Sequence, residues 1–173
     1  VCLIQSGRAI FSKSIMDCRI RRHKAFIYDR PIFMRYCVSQ VIRHYAKNRA
    51  YSKTSFRFNG TSDWHILRMP ITITNSDSEY ILKAYKVYIE PVKYTNIIEC
   101  LKNALDTKLN QSVGEKLYMY DYTKRPITDT DLKLAKKLNY HLTLSHGSKV
   151  DLLSIALKLN LNYACSFLLG KDE

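Results

Sequence analysis

Polar side chains of the kinds that bind substrates or move protons follow three predicted strands of this sequence, at the points where those strands end. The strands are predicted at residues 55–59, 117–122 and 140–145, where apolar residues recur and polar residues close each run. In chain order, the polar residues are Asn59, Thr61, Ser62, Asp63, Asp121, Lys124, Ser145 and His146. Because ligand sites of α/β proteins gather at the carboxyl ends of parallel strands, this pattern predicts a site at one edge of a sheet.

Each residue type in this set suits a different role. Asp63 and Asp121 could act as general bases or accept hydrogen bonds from a ligand, and Lys124 could bind an anion. His146 could shuttle a proton. We therefore assign catalysis to the two aspartates and the lysine, and substrate binding to the other five residues. A solvated turn at each strand end is the alternative, and the sequence holds no Walker loop, GxGxxG, GxSxG or HExxH motif.

The elements that must position this edge alternate along the chain. From residue 117 onward, strands and helices are joined by connections of about two to six residues, which favours right-handed crossovers and a parallel sheet. A helix at 30–48 and another at 95–109 extend the alternation, and Thr128-x-x-Asp131 resembles a capping box that starts the helix after the strand at 117–122. We therefore expect a single α/β domain over residues 1–173 that forms part of a (β/α) barrel, with an open, doubly wound parallel sheet as the alternative.

Residues 65–94 depart from this alternation. Apolar and polar residues alternate at 67–74, and a second run at 80–89 alternates less regularly after a polar turn. Two strands joined by a polar turn predict a β-hairpin around 66–90. Tyrosines and lysines interleave at 83–94, which is the composition of a surface that stacks on single-stranded nucleic acid. An edge strand protected by lysines has the same composition.

The net charge of +13, from 28 Lys and Arg against 15 Asp and Glu, predicts a polyanionic partner. Nucleic acid is the first expectation and an acidic membrane surface the second. The densest basic run lies on a helix predicted from about residue 14, and a solvated helix face would have the same pattern. The candidate nucleic-acid contacts are Arg19, Arg21, Arg22, Lys24 and Arg35. No stretch reaches the roughly 18 apolar residues of a membrane span, so we expect none.

The five cysteines are scattered, odd in number and without a CxxC pair. Because no export signal precedes them, we expect reduced thiols in a cytoplasm. The sequence opens on Val1 rather than methionine, which suggests a fragment with further sequence upstream. Cys2 lies at this edge and is therefore the cysteine of most interest.

Several motifs resemble, in the same order, those of the phage gene product 88 family, a group of phage and prophage proteins without a characterised function. Two short stretches resemble the family near residues 17–26 and 29–33. The most specific stretches are Arg57-x-Asn59-Gly60-Thr61-Ser62-Asp63 and Tyr120-Asp121-Tyr122-Thr123-Lys124; the others are Cys2-Leu3-x-x-x-Gly7-Arg8 and Tyr140-His141-Leu142-Thr143-x-Ser145. Relative to this pattern, residues 65–94 look like an insertion.

The resemblance implies a phage-encoded protein that acts in the cytoplasm of an infected or lysogenic bacterium. It also implies that Cys2 is the last of a small cysteine cluster, similar to the layout of radical-SAM-like proteins in which three thiolates hold a 4Fe–4S cluster before a barrel. A metal-dependent barrel enzyme is thus one hypothesis. A non-catalytic, basic nucleic-acid-binding protein is the other.

Overall fold

The computed structural model describes residues 12–48, 54–58, 64–106, 117–146 and 151–164. Its helices in these ranges are α1 Lys13–Tyr28, α2 Arg30–Lys47, α3 Asn75–Tyr85, α4 Ile97–Asp106, α5 Asp129–Lys137 and α6 Leu152–Leu159. The strands are β1 Thr54–Arg57, β2 Ile71–Thr72, β3 Lys93–Tyr94, β4 Leu117–Thr123, β5 Tyr140–Ser145 and β6 Asn162–Ala164. No helix among the described residues is both long and apolar enough to cross a membrane.

Four strands form a parallel sheet in the order β1-β4-β5-β6. The helix between β4 and β5 and the helix between β5 and β6 are the crossovers that parallel pairing requires. The predicted α/β class and parallel sheet are therefore confirmed. The sheet is open in the described part of the chain, which fits the open-sheet alternative, and these strands do not close a barrel.

The larger hydrophobic core joins α2 and α4 to one face of this sheet. Val38 and Ile42 of α2, Leu101 of α4, and Met119 and Tyr140 of the sheet are all buried in it. In α2 the spacing of four residues between the two aliphatic side chains places both on one side of the helix. Helical periodicity and burial thus agree along the predicted helix 30–48.

A smaller hydrophobic cluster lies at the other end of the sheet. It contains Ile127, Leu144 of β5, and Leu152 and Ala156 of α6. Leu144 lies four residues after Tyr140 on β5, so both side chains point to the same face of the sheet. The helices that share a core with the sheet therefore lie on one of its two faces.

The first two helices form a hairpin with only Asp29 between them. Pro31 stands in the first turn of α2, where its missing N–H costs no hydrogen bond. Phe26 is the buried residue of α1, and its ring stacks on Trp64 with the centroids 3.8 Å apart and the planes 9° from parallel. One aromatic anchor thus attaches α1 to the core, and most of its surface faces outward.

The second strand of the predicted hairpin is instead the helix α3. Its N-terminus carries a capping box: Thr74 Oγ1 accepts a hydrogen bond from the Asp77 N–H at 3.2 Å, and Asp77 accepts one from the Thr74 N–H at 2.9 Å. These two bonds satisfy backbone N–H groups at the start of the helix. In a strand, the same groups would bond to a neighbouring strand. The hairpin around 66–90 is therefore wrong, and an antiparallel ladder joins β2 to β3 instead.

The tyrosines and lysines of residues 83–94 do not share one surface. Tyr85 lies at the end of α3, whereas Tyr94 lies in β3 with 3% of its surface exposed. The Tyr94 hydroxyl donates a hydrogen bond to the Glu90 carbonyl at 3.0 Å, and burial raises the pKa of this hydroxyl. Tyr94 therefore contributes no ring to the stacking surface predicted here, because it is buried.

Candidate functional site

The carboxyl ends of β4 and β5 lie side by side, as the sequence predicted for neighbouring parallel strands. Thr123 pairs with Leu144 in the ladder, so Lys124 and Ser145 follow at the same edge. His146 comes next, and its ring Nδ1 lies 2.9 Å from the Tyr163 hydroxyl. The remaining residues predicted for this edge, Asn59, Thr61, Ser62 and Asp63, lie outside the described residues.

Asp121 is not at this edge. It lies inside β4 two residues after Met119, and alternation turns both side chains into the core face. Its side chain is 0% exposed and accepts a hydrogen bond from the Tyr140 hydroxyl at 2.6 Å. Arg57 Nε lies 3.8 Å from its Oδ1. The predicted position at the edge was wrong, and the carboxylate instead connects three neighbouring strands, because a buried charge needs partners.

A small cavity of about 30 Å³ lies beside the carboxyl end of β4. Its lining includes Trp64, His65, Thr123, Arg125 and Asp131. A volume of this size holds about one water molecule, whereas small-molecule sites measure roughly 300–1,000 Å³. The part of this cavity that the described residues enclose is therefore the size of a bound-water site.

Asp131, which lines this cavity, forms an ion pair with Arg68. Arg68 donates through Nε and Nη2 to the two carboxylate oxygens of Asp131, at 3.0 and 2.9 Å, and His65 Nε2 lies 3.7 Å from Oδ2. Thr128 and Asp131 also form the capping box of α5. Burial alone would raise the pKa of the Asp131 carboxyl, but the hydrogen bonds from Arg68 and Thr128 outweigh burial and lower it.

Sequence reasoning identified Asp131 as a helix cap and missed Arg68 and His65. The residues are 63 and 66 positions apart from it along the chain, so no local pattern joins them. Their arrangement attaches α5 to the segment before β2. We interpret it as a structural contact rather than a catalytic one.

The α1–α2 hairpin has the largest excess of basic over acidic residues among the described ranges. Residues 12–48 contain nine of the 28 Lys and Arg residues and two of the 15 acidic ones. Arg21, Arg22 and Lys24 are exposed, and no ion pair among the described residues includes them. Arg19 is half-buried and has further interactions. Arg21 and Lys24 are three residues apart and lie on the same side of α1, whereas Arg22 lies on another side of the helix.

Arg35 differs from the other predicted nucleic-acid contacts. Its Nε lies 3.1 Å from Asp77 Oδ2, so it pairs α2 with the N-terminus of α3. The assignment of Arg35 to a nucleic-acid contact stays a prediction, and the ion pair gives this side chain a structural role as well. Arg22 lies close enough to α2 to influence Cys37, whose pKa burial nonetheless raises to about 11.

The second face of the parallel sheet carries aromatic rings and an arginine. Tyr118 and His141 stack with centroids 6.3 Å apart and planes at 27°, and Tyr120 and Tyr122 meet edge to face at 6.2 Å. The Arg57 guanidinium lies 4.8 Å from the Tyr122 ring centroid. Each of these five side chains is half-exposed or exposed. Sequence reasoning did not group them, although the three tyrosines alternate along β4.

No family model, curated protein or solved structure matches this chain. The resemblance to the phage gene product 88 family therefore stays a prediction. No group of three or more His, Cys, Asp and Glu side chains in the described part of the chain could hold a metal ion. Cys2 lies outside the described residues, and a single thiol does not hold a 4Fe–4S cluster, so this prediction also stands untested.

Proposed function

We propose that this protein binds nucleic acid through the exposed basic residues of α1. The carrying observation is that Arg21, Arg22 and Lys24 are exposed and enter no ion pair among the described residues. Unpaired cations on one helix release condensed counterions when they contact phosphates, and this release supplies most of the non-specific affinity of nucleic-acid-binding proteins.

The dimensions of α1 suit such a partner. Its 16 residues span about 24 Å at 1.5 Å per residue. A nucleic-acid strand presents one phosphate about every 3.4 Å, so the helix covers roughly seven phosphates. Residues 20–25 of α1 are all exposed, so this part of the helix is accessible without any unfolding of the core.

The test compares a variant in which two charges of α1 are reversed with a matched control variant. We expect Arg21→Glu/Arg22→Glu to weaken binding of a labelled 20-nucleotide single strand by at least about tenfold in about 0.1 M salt, because two phosphate contacts become repulsive. The slope of log affinity against log salt should fall by about 1.4, since each lost contact to a single strand removes roughly 0.7. Fluorescence anisotropy across a salt series measures both quantities.

The control variant is Lys133→Glu/Lys136→Glu, which reverses two exposed charges on α5 and gives the same net charge. It should change the affinity by less than about threefold, because general attraction is screened beyond roughly 10 Å in 0.1 M salt. Equal losses in both variants would contradict a specific role for α1. Binding to anionic vesicles without binding to the oligonucleotide would favour the membrane surface instead.

The barrel enzyme with an iron–sulfur site remains a hypothesis. It depends on Asn59, Asp63 and Cys2, which lie outside the described residues. Asp121, its remaining candidate base, is buried against Tyr140. The contacts among the described residues therefore favour nucleic-acid binding over this reaction.

A further inference from the structure

The parallel sheet is covered by helices on one face only in the described part of the chain. Both hydrophobic clusters lie on the face that carries Tyr140 and Leu144. Parallel sheets of α/β proteins are normally covered on both faces. The second face therefore presents a surface that calls for an occupant.

The residues of this second face alternate with the core residues along each strand. In chain order they are Ser55, Arg57, Tyr118, Tyr120, Tyr122, His141, Thr143, Ser145, Asn162 and Ala164, and none of them is buried. We call this set the open sheet face. It contains four aromatic rings, one arginine and several hydroxyl groups, and no acidic residue. Its single small aliphatic residue gives little for a helix or a second sheet to pack against.

The chemistry of the open sheet face indicates which occupant fits. Partly exposed flat rings can stack on nucleobases of any sequence, and arginine adds a cation for the phosphates. Tyr118 and Tyr122 are four residues apart, so the rings extend over about 13 Å of strand, enough for two or three bases. A second copy of the chain fits poorly for two reasons. Each copy has a net charge of +13, so two copies repel each other, and the open sheet face offers only one small aliphatic residue for packing.

Arg57 is held at the border of this face. Its Nε is buried and donates no hydrogen bond among the described residues, and it lies 3.8 Å from the buried Asp121. Its guanidinium lies over the Tyr122 ring, and 33% of the side chain is exposed. The guanidinium is thus oriented by its neighbours while part of it remains accessible to a phosphate.

We propose that the open sheet face stacks on the bases of single-stranded nucleic acid. This inference rests on the proposed function and adds to it, because α1 contacts phosphates whereas the sheet face contacts bases. It gives the protein a preference for single strands over duplexes, whose bases are already stacked on each other.

The first test needs no variant. An oligo(dT) of 20 nucleotides and an abasic 20-mer carry the same number of phosphates, and only the first offers bases. We expect the protein to bind oligo(dT) at least about tenfold more tightly, because each stacked base contributes a factor of roughly five or more. Equal affinities for the two ligands would overturn base stacking.

The second test removes the rings. Tyr120→Leu/Tyr122→Leu should reduce the preference for oligo(dT) over the abasic strand by at least about fivefold, because two of the four rings are lost, whereas Tyr120→Phe/Tyr122→Phe keeps the rings and should retain the preference within about threefold. Equal losses of oligo(dT) affinity in the Leu and Phe variants would overturn the proposal. A native protein that sediments as a dimer and dissociates in the Leu variant would overturn it as well. If both ligands bind equally in a salt-dependent way, only the stacking proposal fails; if neither binds, the proposed function fails with it.

Discussion

Asp131 is the ionisable residue whose role the structure defines most clearly. Arg68 holds both of its carboxylate oxygens, and Thr128 completes a capping box with it. Two-point contact with a guanidinium is stronger than a single neutral hydrogen bond. The carboxylate therefore stabilises the start of α5 and its attachment to the segment before β2 at the same time.

Replacing Asp131 by Asn should lower the free energy of unfolding by about 1–2 kcal/mol at pH 7, because a charged hydrogen bond and a helix cap are both weakened. The pKa of this carboxyl is lowered in the folded protein. Its contribution is therefore complete above the unfolded value of about 3.9 and is lost as the pH falls through the folded value. Urea denaturation at pH 7 and at pH 3 should show the difference between the two proteins shrinking.

Asp129→Asn is the matched control for this prediction. Asp129 lies in the same first turn of α5, is exposed and enters no ion pair among the described residues. It should change the stability by less than about 0.5 kcal/mol. A loss at position 131 that is as large at pH 3 as at pH 7 would show that the charge is not its source.

Asp121 shows how far residue types alone can predict a site. The sequence correctly indicated a strand at 117–122, and the aspartate near its end was taken as an edge residue. The alternation that places Met119 inside also places Asp121 inside, and its neighbour Tyr140 comes from another strand. A shift of one residue along the strand thus separates a buried side chain from an accessible one. The partner of Asp121 becomes known only from the order of the strands in the sheet.

At the scale of elements, α3 is the stretch that sequence patterning predicted wrongly. Residues 80–89 are rich in tyrosine and aliphatic residues, which favours a strand. The stronger signal was Thr74-x-x-Asp77, the same capping pattern that correctly marked the start of α5 at Thr128. A helix forms here because the capping box satisfies the N–H groups of its first turn. The apolar alternation that favours a strand is irregular over the same residues.

The end of α3 offers a test of this assignment. Lys86 has a left-handed conformation with φ 58° and ψ 36°, in which a β-carbon is unfavourable. We expect Lys86→Gly to raise the free energy of unfolding by roughly 0.5–1 kcal/mol. The same substitution at Lys83, inside the helix, should lower it by about 1 kcal/mol. Chemical denaturation of both variants measures these opposite changes.

The two variants remove the same side-chain charge three residues apart, so each controls for the other. A strand through both positions would be weakened by glycine at either one. A loss of stability at both positions would therefore contradict the helix and its left-handed end.

For the whole molecule, the alternation of strands and helices could be predicted from the sequence, whereas the residues that share an exposed surface could not. The alternation of strands and helices after residue 117 predicted the parallel sheet, because short connections leave few other arrangements. The position of β1 beside β4 could not be predicted, since it depends on how the long segment between them folds. That position brings Arg57 next to Tyr122 and so completes the open sheet face.

The two hydrophobic clusters divide the molecule into parts of unequal stability. The larger cluster includes α2, α3 and α4, whereas the smaller one has four buried residues around α6. Leu153 and Leu157 of α6 are exposed and add little burial. Because local opening costs less where fewer apolar contacts are lost, α6 and β6 should open before α2 and α4.

Hydrogen exchange of the native protein should therefore show weaker protection in α6 than in α4. Leu152→Ala removes a buried side chain of the small cluster and should lower the opening free energy of residues 152–164 by about 2–3 kcal/mol, with a smaller effect in α4. Leu101→Ala, in the large cluster, should lower protection throughout the described helices by about 2–5 kcal/mol. If Leu152→Ala reduced protection equally in every helix, the two clusters would unfold together, and the sheet with all its helices would be one cooperative unit.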